Sequence, residues 1–314
     1  MLTRRHIRVK VMQSIYAFKQ SAQVDLNKQE KFLSYSMENM YNLYLTLINL
    51  LAALQEKAED YLNVSSKKYL ATEEEKNPNR KFIDNKLLRL ILNNKKRIEA
   101  SKKRKLTDWN LEEDYVTIIF NKIKENAIYD TYMQSKANGF KEDANFIIQV
   151  YKEVIAVEDK LYEFIEDSSL TWIDDLPLIN TMLLKMFRKA KENSNTNWLT
   201  PSLYKDEEDK QFASNLFRKS ILNEEKFLTE IQGRTPNWDM ERITEIDAIL
   251  LKMAICEIKY FPSIPVKVTI NEYLEIAKEY STPKSSIFIN GILDKLVKDY
   301  KAENTLNKAG RGLM

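Results

Sequence analysis

Arg4, Arg5 and Arg8 are the residues of this sequence whose type and spacing most invite a chemical reading. A guanidinium presents planar paired donors suited to bidentate contact with a phosphate or a base edge. The three sit at the start of a segment in which Ile7, Val11, Ile15 and Phe18 repeat at intervals of four, four and three. That spacing predicts a helix from about Thr3 to Gln20 with one apolar stripe. Cations at a helix N-terminus oppose its dipole, so stability does not call for them there. A binding role does, with ordinary surface charge as the plainer alternative.

Little other chemistry is open to the chain. Its 5 glycines stand at 139, 233, 291, 310 and 312, so no glycine-rich loop exists to bring backbone N–H groups against a phosphate or dinucleotide. One histidine, His6, and one cysteine, Cys256, cannot build a zinc site, a Cys–His pair or a disulfide. Cys256 lies in the apolar pattern Ile255-Cys256-Glu257-Ile258 and reads as a buried structural thiol. No carboxylate spacing marks an active site. The expectation is a protein that is not an enzyme and uses no cofactor or metal.

Charge is unevenly spread. The net value is +3, yet residues 1–20 carry +5, residues 80–105 carry +9, and the rest sums to −11. Basic surface confined to two segments of an otherwise acidic chain suits a localised polyanion contact. The runs Lys95-Lys96-Arg97 and Lys102-Lys103-Arg104-Lys105 also fit a merely solvated stretch. The basic N-terminus is too interrupted for a signal peptide, and the longest apolar stretch, Leu43 to Leu54, is too short and polar to span a bilayer. A cytoplasmic protein with no membrane partner is expected.

With 7 prolines and few glycines, the chain lacks the turn residues that a strand-rich fold needs, which predicts an all-α architecture. A long helix is expected from about Glu30 to Leu62, a loop over Thr72–Arg80, and helices around Glu113–Lys136 and Asp143–Asp167. Phe146 to Trp172 aligns with Phe212 to Trp238, and Leu183-Leu184-Lys185-Met186 with Leu250-Leu251-Lys252-Met253. This is a partial internal repeat of 146–187 with 212–254. Asn193 to Asp209 is the best boundary. A buried helix then spans Ile243–Ile258, another covers Val268–Tyr280, and Thr282-Pro283 opens a last helix to about Tyr300. Gly291 sits inside that helix at a cost of roughly 1 kcal/mol relative to alanine. Either close helix contact or a ligand approaching the backbone must offset it. The tail from Lys301, ending Gly310-Arg311-Gly312, is expected to be disordered.

Two separated stretches resemble the NusB family of bacterial transcription antitermination factors. The first is Thr3-Arg4-Arg5-His6-Ile7-Arg8 with Gln13-Ser14-Ile15-Tyr16. The second runs from Ile249-Leu250-Leu251-Lys252-Met253-Ala254 through Ile264-Pro265-Val266-Lys267-Val268-Thr269-Ile270-Asn271-Glu272 to Phe288-Ile289-Asn290-Gly291-Ile292-Leu293-Asp294-Lys295. The resemblance implies a NusB-like helical bundle with a large helical insertion after the first helix. The division would be a first helix over 1–22, an insertion over 23–204, a C-terminal core over 205–300 and a tail over 301–314.

It also implies binding of boxA-type single-stranded RNA with the ribosomal protein NusE, in an RNA polymerase antitermination complex acting during ribosomal RNA transcription. By position in the motifs, Arg4, Arg5 and Arg8 correspond to RNA-contacting arginines. Tyr16 and Phe288 would be stacking residues, and Gly291 would lie in the turn facing RNA. Lys284 stands where an acid is frequent and would raise phosphate affinity. His6, Ile7 and Val9 depart from the family pattern. The arginines are expected beside the Phe288 turn, forming one cradle. The alternative is a protein-interaction scaffold, or a regulatory domain of an RNA-modifying enzyme, without RNA binding of its own.

Overall fold

The computed structural model describes residues 1–21, 25–106, 108–233 and 243–309. Helix α1 (Arg4–Gln20) begins where Thr3 leaves the extended region. The Thr3 hydroxyl accepts from the His6 N–H and the Thr3 N–H donates to His6 Nδ1, which satisfies two donors at the helix start. Ile7, Val11 and Ile15 are buried, as their spacing requires.

Fourteen further α-helices follow among the described residues: α2 (Leu26–Ser66), α3 (Glu73–Lys76), α4 (Lys86–Leu92), α5 (Lys95–Arg104), α6 (Glu113–Glu125), α7 (Ala127–Gln134), α8 (Phe140–Val150), α9 (Asp159–Ser168), α10 (Leu170–Lys189), α11 (Glu207–Leu222), α12 (Glu224–Gln232), α13 (Glu245–Tyr260), α14 (Val266–Tyr280) and α15 (Ser285–Ala302). A π-helical turn, Tyr151–Ile155, extends α8. No strand occurs among the described residues, so the fold is all-α.

The chain forms two compact units, Met1–Met37 with Ser202–Met314 and Glu38–Pro201. The first unit therefore includes the start of α2, which the sequence grouped with the insertion. Arg218 of α11 donates to Glu30 at 2.6 Å and Ser214 of α11 also donates to Glu30, holding this part of α2. At the centre of the unit lies α13, buried at every position from Ile249 to Ile258. A helix without a polar face must be covered all round; α1, α11, α12, α14 and α15 do so. Helix α1 runs antiparallel to α13: Arg8 bonds Glu257 near the end of α13, and Gln20 donates to Glu245 in its first turn at 2.8 Å.

In the second unit, the later part of α2 meets α5 through Asn49 and Arg97, α6 through Tyr61 and Phe120, and α10 through Asn39 and Trp172. Two buried indoles fasten it: Trp109 Nε1 donates to the Thr46 carbonyl and Trp172 Nε1 to the Asn39 carbonyl, each at 2.9 Å.

Several boundaries differ from expectation, each for a local reason. The helix expected over Glu113–Lys136 breaks at Asn126, whose side chain accepts from the Ile128 N–H and starts α7. The one expected over Asp143–Asp167 breaks before Glu158, which caps α9. Within Thr72–Arg80 a reciprocal Thr72–Glu75 capping box supports the short α3. Helix α15 starts at Ser285 rather than Pro283, because Thr282 and Ser285 close a turn instead.

Two residues of the tail, Lys308 and Ala309, are bonded to the end of α13 and the segment after it. Lys308 donates to the Glu257 and Phe261 carbonyls at 3.2 and 2.9 Å, and Ala309 N–H to the Pro262 carbonyl. A lysine on the last carbonyls of α13 complements that helix's negative end. Gly310-Arg311-Gly312 and Trp238 of the repeat lie outside the described residues. The repeat segments share an order of helices, α8–α9–α10 against α11–α12–α13, with Ile165 and Ile231, and Leu183 and Leu250, buried in each.

Candidate nucleic-acid interface

Each N-terminal arginine has an acidic partner far along the chain. Arg4 Nη2 donates to Glu208 and Nε to Asp209, both at 2.7 Å. Burial works against the Arg4 charge, but these bonds outweigh it and raise the pKa. Arg5 grips Glu272 of α14 through two bonds of 2.9 and 2.8 Å. That grip holds the Glu272 carboxyl below the usual carboxylate range.

Arg8 is different in kind. Its side chain is 2% exposed and donates to both oxygens of the fully buried Glu257, at 2.8 and 2.7 Å. The Thr269 hydroxyl adds a bond to Glu257 at 2.7 Å, and the guanidinium packs over Phe212 and Tyr273. Burial opposes the charge, and Glu257 more than restores it, leaving the pKa raised. The expectation that Arg8 touches RNA meets a plain obstacle: its donors face inward. The dipole argument failed for Arg8 because its partner lies 249 residues away and was invisible locally.

Tyr16 is 42% exposed. Eleven residues after Arg5, it falls on the same stripe of α1, about 16 Å along the axis, with half-buried Val9 between.

On α15 the spacing of four and three puts Lys284, Phe288 and Gly291 on one face. Lys284 is exposed, and Phe288 is half-buried. Gly291 is exposed, and a Cβ built there meets nothing within 4 Å. Close helix packing, one of the two explanations for this glycine, is therefore ruled out among the described residues.

The start of α15 is pinned from below by a buried carboxylate that the sequence reading missed. Asp247 in the first turn of α13 accepts from Ser281 and Ser285 at 2.7 and 2.8 Å. The serines flanking Thr282-Pro283 carried the signal, but only the fold supplies the acid. Glu257 and Glu272 were likewise missed as positioning residues.

These links set the axial spacing of the elements that would form the expected cradle. Asp247 ties the start of α15 to the start of α13, whereas Arg8 binds Glu257 near the other end of α13, about 15 Å along its axis. Tyr16 and Gln20 lie at the Phe288 end of α13, and Arg5 reaches towards it only through the α1 stripe.

Cys256 is buried and its thiol is pushed up to about 12 by desolvation. No group of three or more His, Cys, Asp or Glu suited to a metal ion occurs among the described residues. No helix there is long and apolar enough to cross a membrane.

Residues 178–298 match the model of the NusB family. The chain is 41% identical over 112 residues to the transcription antitermination protein NusB of Salinibacter ruber, covering 36% of this chain and 70% of that protein. The chain belongs to the NusB family. It is also 36% identical over 125 residues to the protein of the same name from Thermodesulfovibrio yellowstonii, covering 40% of this chain and 83% of the relative. For Chloroherpeton thalassium NusB the figures are 39% over 128 residues, 40% of this chain and 61% of the relative. No solved structure matches the chain. The NusB match takes in α11 to α14 and most of α15, hence Glu257, Glu272, Lys284, Phe288 and Gly291.

Proposed function

We propose that this chain is a transcription antitermination factor that binds boxA-type single-stranded RNA together with the ribosomal protein NusE. The pair acts on RNA polymerase during ribosomal RNA transcription. NusB-family membership supports the general role, and the relatives bear the name transcription antitermination protein. The observation that carries the RNA reading is Gly291, an exposed mid-helix glycine with open space where a side chain would stand, flanked on its face by Phe288 and Lys284. Packing gives no reason for glycine there, whereas close approach of a strand to the backbone does. Single strands are read by bases stacked on aromatic faces and phosphates neutralised by cations. Tyr16 and Phe288 supply the first, and Arg5 and Lys284 the second. Arg4 contributes from the far end of α1, and Arg8 acts by positioning that helix.

A titration with boxA-like and scrambled RNA, with and without NusE, tests this. BoxA RNA should bind more tightly, more so with NusE, and Arg5→Gln with Tyr16→Ala should weaken it. Equal binding of the two RNAs with NusE present, untouched by the substitutions, removes the proposal.

One observation favours the scaffold alternative: Arg4, Arg5 and Arg8 are all ion-paired within the chain. A scaffold would keep its protein partner and show no RNA affinity at any salt concentration.

A further inference from the structure

The second unit holds a cationic surface that the assignment above does not use. Between residues 80 and 105 stand eleven lysines and arginines, and the structure sorts them into two groups. Six are engaged. Arg80 and Arg89 pair with Asp84, and Lys86 with Glu192. Lys81 donates to the Ser135 carbonyl, and Arg104 pairs with Glu38. Arg97 is buried and donates to the Ile91 and Leu92 carbonyls and to Asn49, closing the end of α4.

The other five, Lys95, Lys96, Lys102, Lys103 and Lys105, are exposed and form no ion pair among the described residues. Lys95 and Lys102 lie two turns apart on α5, as do Lys96 and Lys103, so they make a ridge about 12 Å long with one acid, the exposed Glu99, between them. Helix stability explains only half of it. Lys102 and Lys103 complement the negative end of α5, but Lys95 and Lys96 stand in a first turn that has no acid, where they oppose the dipole.

Beside the ridge lies a hollow of about 450 Å³ between α2 and α5, lined by the apolar Ile98 and Trp109, the cationic Lys102 and Lys105, and the acidic Glu56 and Asp108. Its size and half-apolar lining suit one planar group, not a helix or a strand of protein.

We propose that the α5 ridge and this hollow bind a segment of single-stranded RNA, with phosphates along the lysines and a base in the hollow. A continuous duplex satisfies the ridge but has no free base to place, and a run of carboxylates such as polyglutamate offers charge without a flat ring. This deepens the RNA-binding reading and rests on it, while using a surface of the other unit.

The test uses the full chain and a labelled single-stranded RNA of mixed sequence, titrated by fluorescence anisotropy across a potassium chloride series. The variant combines Lys95→Gln, Lys96→Gln, Lys102→Gln and Lys103→Gln, with helical content checked by circular dichroism. Each lost phosphate contact flattens log K against log salt by about 0.7, so the variant should flatten it by about 2 to 3 and bind at least about tenfold more weakly at low salt. An unchanged affinity and slope overturns the proposal. So does equal competition by duplex RNA or by polyglutamate. Arg5→Gln with Tyr16→Ala separates the two readings. Loss there alone leaves the first-unit site standing and sinks this one; loss in the lysine variant alone does the reverse.

Discussion

Arg8 and Glu257 meet through two parallel hydrogen bonds of 2.8 and 2.7 Å, both side chains buried, although 249 residues separate them in the chain. This pair locks α1 against α13, and with it fixes which stripe of α1 faces outward. Arg5 and Tyr16 are exposed because Arg8 is not.

Removing one partner of such a pair strands the other charge without solvent. Arg8→Met should therefore cost about 3 to 5 kcal/mol of unfolding free energy, read from urea melts at neutral pH. Adding Glu257→Leu should recover part of that loss, because no buried charge is left alone. Recovery stays partial, since the Thr269 and Tyr273 hydroxyls lose their acceptor. A double variant as unstable as the single one would show that packing, not charge, holds the contact.

Glu272 gives a pH signature with a definite sign. Its pKa lies below the ordinary 4.5, first because Arg5 donates to it, with Arg5 and Arg8 charge adding to the effect. A depressed carboxylate contributes stability that is present above pH 4.5 and is lost as pH falls through the folded value. Arg5→Gln removes the main cause, so the stability gap between wild type and variant should be constant near neutrality and shrink on acidification below 4.5. The gap is small, because the Arg5 side chain is 44% exposed and well screened. A gap that widens as acid is added contradicts the assignment.

How far the fold was legible depends on range. The all-α class, the stripe Ile7–Val11–Ile15 and the buried run of α13 follow from periodicity, a local property. Helix breaks at Asn126 and before Glu158 were missed although both residues cap helices, because apolar spacing continued across them. The candidate site was half legible. Tyr16, Lys284, Phe288 and Gly291 come out at least partly exposed, while Arg8 turned inward. Nothing near Arg8 in sequence announces Glu257. The division of the eleven bases at 80–105 into engaged and exposed groups was also largely out of reach, since Lys86 and Arg104 meet Glu192 and Glu38 from distant parts of the chain.

Lys252 should behave in the opposite sense from Arg8. Burial depresses its pKa from 10.5 to about 8, while Glu224 pulls the other way at 2.5 Å and Lys19 shares the same carboxylate. A lysine depressed in the folded state opposes folding fully below pH 8, and that opposition fades between 8 and 10.5. Lys252→Met leaves Glu224 its Lys19 partner, so it should be neutral or stabilising at pH 7. Its advantage over wild type should then decline as pH is raised from 8 towards 10.5. Destabilisation at pH 7 with no change over that range would mean the ion pair outweighs desolvation.

Gly291 separates stability from binding in one substitution. It lies inside α15 in the right-handed helix, with nothing within 4 Å of a built Cβ, so alanine fits without strain. Gly291→Ala should raise the unfolding free energy by about 0.5 to 1 kcal/mol through the lower entropy of the unfolded chain. If a strand packs on the backbone at this point, the added methyl group stands in its path. The same variant should then bind boxA RNA more weakly while melting at a higher temperature. A more stable variant with undiminished RNA affinity would detach Gly291 from the interface and leave its presence in the helix without a functional reason.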